Sequence, residues 1–207
     1  MPWPVTHILT AEIHYEPFFS HLDHKKFIIG TFFPDIRYPA GLPRTSTHAN
    51  DLTLSEIQSK SAFQAGLAFH SFVDDMWNTF VLRENHHIFD EVPHDKPMIH
   101  TMKILQDKYL YSKSEDWSQI ATAFEDPIPE EKSYGVSKEM IFQWHQMLKY
   151  YLSKPPNHDD LDMLSISLKP EIIDKISQYY LAYQNHDKLY SLLVNFYDQA
   201  EHLPQKT

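Results

Sequence analysis

The chain has 207 residues, enough for one domain with a substantial core, and 42% of them are hydrophobic, which excludes a disordered polypeptide. A formal net charge of −10 argues against a broad electrostatic grip on nucleic-acid phosphates, while leaving room for a small site that binds one phosphate. With no cysteine, disulfides and thiolate metal sites are excluded, so a metal centre must be built from the 14 histidines and from Asp or Glu.

Four glycines against 13 Phe, 12 Tyr and 4 Trp suit helices packed on helices better than tight-turned β-structure. Thr6 is placed to cap a first helix over residues 6–20, whose apolar residues include Ile8, Leu9, Ala11 and Ile13. A short segment, 23–30, follows. Next comes "TFFPDIRYPAGLPRTSTHAND", whose three prolines predict a long loop of the kind that is often functional. A long helix is expected over 53–83, capped by Thr53 or Ser55 and ended by "HHIFDEVPHDKP". Further helices are expected over 97–111, 115–124, 137–152, 170–183 and 186–203, with prolines between them or at their starts. The pattern predicts an all-α fold: one multi-helix bundle of about seven helices, forming a single domain over 1–207. The first residues lack a basic start followed by an apolar core, and no apolar run reaches membrane-spanning length. The expected location is the cytoplasm, with signal-independent export left open.

The long helix carries "AFHSFVDDMWN". At about 100° per residue, His70 and Asp74 share a strip with Phe63, Leu67 and Val81, while Ser71, Asp75 and Thr79 point towards an expected solvent face. Alone, such a pair reads first as a buried His–Asp hydrogen bond or a plain surface pair, ahead of a metal site. The preceding loop adds Asp35 in "FPDIRYP" and His48 in "RTSTHAND", and His7 opens the first helix. Two carboxylates and three imidazoles on separate elements form a nitrogen and oxygen set that suits Zn²⁺ or another first-row divalent ion.

In the order and context of "THILTAE", "PD" then "TH", and "AGLAFHSFVDDMW", the chain resembles the zinc-dependent phospholipase C superfamily, which also contains zinc nucleases specific for single strands. The resemblance covers about residues 6–81. It implies a phospholipase C-like helical fold around one to three zinc ions. Asp35, His48, His70 and Asp74 would hold one ion and His7 a second, with Asp74 bridging. It also implies that Asp35 acts as a general base. The chain departs from the family at Asn78 and Phe80, near where the family places a His for a third ion. His87 and Glu91 offer a later H-x-x-x-E pair for that ion, against the favoured reading of a polar helix terminus.

Such ions would activate water for hydrolysis of a phosphodiester, with a small phosphoester or a phospholipid headgroup as substrate. Arg37 and Arg44 could pair with phosphate oxygens, against the favoured reading of solvated loop charges. Phe32, Phe33, Tyr38, Trp77 and Phe80 could line a pocket, with core packing the expected role for most. The remaining histidines are expected at the surface or in ordinary hydrogen bonds. Two other functions stay open: a helical protein with a structural or regulatory metal site and no turnover, and a zinc nuclease.

Overall fold

Every regular element is helical among the described residues of the computed structural model, which are 4–50, 52–114, 116–158 and 168–202. Helix α1, Pro4–His14, starts on a proline, whose missing N–H costs nothing at that position. It ends earlier than expected. Pro17 cannot donate to the ladder, and Tyr15–Phe19 form a wider π turn. Helix α2, His24–Phe32, is capped by Asp23, whose side chain accepts from the Lys26 N–H.

The expected long loop is instead a string of short helical turns. A 3-10 turn, Phe33–Ile36, runs into α3, Arg37–Ala40, and α4, Arg44–Thr47. Pro34 sits at the start of the 3-10 turn, and Gly41, at φ 66°, ends α3 in the left-handed conformation. The expected long helix is likewise divided. A Thr53–Glu56 capping box starts α5, Leu54–Gln58. Extended backbone at Ser61 then precedes α6, Ala62–Trp77, which relaxes into a π turn over Asn78–Glu84.

The second half holds α7 (Lys96–Leu110), α8 (Trp117–Ala121), α9 (Pro129–Lys132), α10 (Lys138–Leu152), α11 (Pro170–Tyr183) and α12 (Asp187–Ala200). These match the expected helices closely, apart from α9, which was not expected. Leu203, the expected end of the last helix, lies outside the described residues.

The packing that positions the site is the crossing of α2 and α6. A Cβ on Gly66 would lie 2.0 Å from the Phe27 carbonyl oxygen, and one on Gly30 would lie 2.1 Å from that of Phe63. Only paired glycines let the two backbones touch. Around the crossing, Phe19, Phe27 and Phe69 pack ring against ring, all buried. On the other side, the buried Trp77 indole donates to Gln106 Oε1 at 2.7 Å, and Gln106 Nε2 donates to the Leu193 carbonyl at 2.9 Å. This ties α6 to α7 and α12. Ser71 corrects the helical-wheel expectation: it is buried, and its hydroxyl accepts from the Ala49 N–H. No helix among the described residues is long and apolar enough to cross a membrane.

Candidate metal centre

Four elements meet at one point beside the α2–α6 crossing. Helix α6 presents His70 and Asp74 one turn apart, and α1 presents His7. The 3-10 turn after α2 presents Asp35, and His48 follows α4. The Asp74 carboxylate is central. Its Oδ1 lies 3.7 Å from His7 Nε2, while its Oδ2 lies 3.8 Å from His48 Nε2 and 3.7 Å from His70 Nε2. Asp35 Oδ1 is 3.8 Å from His70 Nε2. Ligand atoms of His7, His70 and Asp74 all lie within 4.8 Å of one another, as do those of Asp35, His48 and His70.

These separations are too long for hydrogen bonds. Two ligand atoms bound at about 2.0–2.2 Å to a shared tetrahedral ion would stand about 3.3–3.6 Å apart. A contraction of a few tenths of an ångström would therefore suffice for coordination. The two oxygens of Asp74 face different imidazoles, the aim required of a carboxylate shared between two ions.

The surrounding hydrogen bonds fix which ring nitrogen is available. His70 Nδ1 donates to the Thr31 carbonyl at 2.9 Å, which leaves the lone pair on Nε2. The Thr47 hydroxyl donates to the Pro34 carbonyl at 3.2 Å, so it must accept from His48 Nδ1 at 2.9 Å. His48 Nε2 therefore also carries a lone pair towards the cluster. His7 stacks on His70 with ring centroids 4.1 Å apart. The N–H groups of Val5 and Thr6 at the start of α1 donate to Asp107 at 3.0 and 2.8 Å, and the Thr6 hydroxyl donates at 2.6 Å, which anchors the turn that carries His7.

Burial and the neighbouring His70 push His7 well below the usual histidine range. Burial, helped by His70 and Arg44, brings His48 down to about 3. Both imidazoles are thus neutral near pH 7, and no proton competes for their lone pairs. Burial raises Asp35 to about 6, against the pull of His70. For Asp74 burial acts upwards too, but nearby positive charge, to which His70, His7 and Lys103 contribute, holds its carboxyl below the usual range.

The other expected site residues lie in two places. Arg44 Nη1 is 3.8 Å from Asp74 Oδ2, and the Arg37 guanidinium stacks at 3.9 Å over the Tyr38 ring. Neither is a plain solvated loop charge. His87 and Glu91 are both exposed and are not brought to the cluster. Glu91 pairs with Lys188, and its other oxygen lies 3.5 Å from His186 Nε2. Phe32, Phe33 and Trp77 are core residues. Sequence reasoning missed Lys103, which is buried with its ammonium 4.9 Å from the Trp77 ring, and whose charge acts on Asp74 and Asp35. Its signal was faint: a lysine between Met102 and Ile104, both buried. Comparison with protein-family models, curated proteins and solved structures returns no match for this chain.

Proposed function

We propose that this protein is a metal-dependent phosphoester hydrolase whose ions, zinc above all, are held by His7, Asp35, His48, His70 and Asp74. One observation carries the reading. His7 Nε2, His48 Nε2, His70 Nε2 and Asp35 Oδ1 are all buried without a hydrogen-bond partner, and they fall in two adjoining triads of ligand atoms that share His70. Buried polar atoms are nearly always paired, and each orphan costs about 1–3 kcal/mol. Divalent cations at the two triads, His7–His70–Asp74 and Asp35–His48–His70, would satisfy these atoms, and the nitrogen and oxygen set is one that zinc accepts.

When bound, such an ion makes hydroxide available near neutral pH and polarises a phosphoryl oxygen. Asp35 is the one ligand candidate with appreciable exposure, its side chain being 18% accessible. Burial raises its pKa, which favours taking a proton from an attacking water. The water oxygen bonds to phosphorus, and the ester P–O bond breaks with its electron pair on the leaving oxygen. The proton taken up by Asp35 ends on that leaving group. A second reading, an ion that stabilises the fold without turnover, draws on the near-complete burial of His7, His70 and Asp74.

Elemental analysis and hydrolysis of small phosphoesters before and after chelation test the proposal. At least one tightly bound zinc per chain is expected, with turnover that chelator removes. Asp35→Asn should lower kcat by about 100-fold or more. Bound zinc without turnover of any ester, together with a large fall in melting temperature on chelation, would instead support the structural ion.

A further inference from the structure

We infer that Arg37 and Arg44 make the mouth of this centre a receptor for a dianionic phosphate group, so that its substrate is a phosphomonoester rather than a diester with a cationic headgroup. This rests on the hydrolase reading above. The first observation is the local charge. The chain as a whole carries −10. At the centre, however, among the described residues, three basic side chains, Arg37, Arg44 and Lys103, stand against two carboxylates, Asp35 and Asp74, before any metal ion is added. Each divalent ion deepens that excess. A monoester brings two negative charges to offset it, and a diester brings one.

The second observation is where the arginines stand. The side chains of His7, His48, His70 and Asp74 are at most 2% exposed, so the centre opens on the side of Asp35 and of Arg44, which is 43% exposed. Arg44 reaches inward to Asp74, and it lies on α4, immediately before His48. Arg37 lies on α3, two residues after Asp35, and its Nε is buried without a hydrogen-bond partner. The Tyr38 phenol lies within electrostatic reach of Asp35, Arg37, Asp74 and Arg44. Guanidinium forks match phosphate oxygens in geometry as well as charge.

The third observation concerns the alternative. A quaternary ammonium is recognised by open aromatic faces and carboxylates. Among the described residues, the Tyr38 ring beside the arginines has one face taken by the Arg37 guanidinium at 3.9 Å. A choline-type headgroup would meet two cations and a ring with one face occupied.

The test uses zinc-loaded full-length protein. Zinc content is measured by elemental analysis and inorganic phosphate binding by calorimetry, in the wild type, Arg37→Gln, Arg44→Gln and the double variant. Rates are measured on p-nitrophenyl phosphate and p-nitrophenylphosphorylcholine. Each single substitution is expected to raise the phosphate Kd by about 10-fold or more with zinc content unchanged, the loss expected for one charged hydrogen-bonding group. Arg44→Lys, which keeps the charge but not the fork, should fall between wild type and Arg44→Gln. The monoester should be preferred by about 10-fold in kcat/KM, and that preference should disappear in the double variant. Intact zinc with phosphate binding within twofold of wild type in the double variant overturns this inference and leaves the hydrolase reading standing, as does a preference for the choline diester. Failure of the wild type to take up zinc overturns both.

Discussion

Among the described residues, two buried sets of histidine and carboxylate stand out, and they are built differently. On α9 and α10, His145 Nε2 and Glu131 Oε1 meet at 2.7 Å, with both side chains about 1% exposed. The other Glu131 oxygen accepts the Ile128 N–H at 2.8 Å. That pair meets in a direct hydrogen bond, with only His145 Nδ1 left without a partner. At the α2–α6 crossing, by contrast, the His7, His48 and His70 pairs with Asp74 and the His70 pair with Asp35 are 3.7–3.8 Å apart, and the ring nitrogens facing inward have no hydrogen bond. Burial is similar in the two places, Asp35 apart. What differs is whether the groups satisfy each other or stand apart around a shared space, and it is the second arrangement that points to a ligand.

Substitution can break either half of this contrast. The largest effect is expected at the crossing. Gly66→Ala would drive a methyl group to 2.0 Å from the Phe27 carbonyl, forcing the backbones apart and moving the Thr31 carbonyl off His70. A loss of about 3 kcal/mol is expected in urea unfolding, with zinc uptake lost as well. Glu131→Leu should break the His145–Glu131 pair alone. It orphans the His145 ring nitrogen and the Ile128 N–H, at about 1–3 kcal/mol each, and zinc content should not change.

Adding zinc sharpens the contrast from the other side. Free zinc at 100 times its Kd should raise wild-type unfolding free energy by about 2.7 kcal/mol, and His70→Ala should gain nothing in the same urea titrations. The smallest change, taken per pH unit, comes from Asp107, a third buried carboxylate. It accepts from Val5, Thr6 and Tyr151, yet burial raises it to about 7 against those hydrogen bonds. Its folded pKa exceeds the unfolded value of about 4. Its contribution is therefore complete below about pH 4 and is lost as pH rises through about 7, with a slope of at most about 1.4 kcal/mol per unit. Measuring wild type against Asp107→Asn across that range isolates the slope.

The helical class and the five residues brought together at the crossing were legible in the sequence. Helical spacing linked His70 to Asp74, and proline-flanked context singled out Asp35 and His48. The helical turns between residues 33 and 47 were not legible, because Pro34, Pro39, Pro43 and Gly41 read as loop signals and serve equally well as starts and stops of single turns. Ser71 was misplaced because a helical wheel knows nothing of Ala49, whose N–H reaches it from the preceding segment. Lys103 and Asp107 were invisible for the same reason on a larger scale. Asp107 meets Val5 and Thr6 across more than a hundred residues, and no local pattern encodes such a meeting.

The short helix α3 buries none of its residues, whereas at the glycine crossing there is no room even for a methyl group. Variation at this centre is therefore partitioned. Residues 37–40 form an interchangeable cassette, free to be rewritten for a different incoming molecule. The two touching backbones behind them are a fixed mould that any such rewriting must inherit.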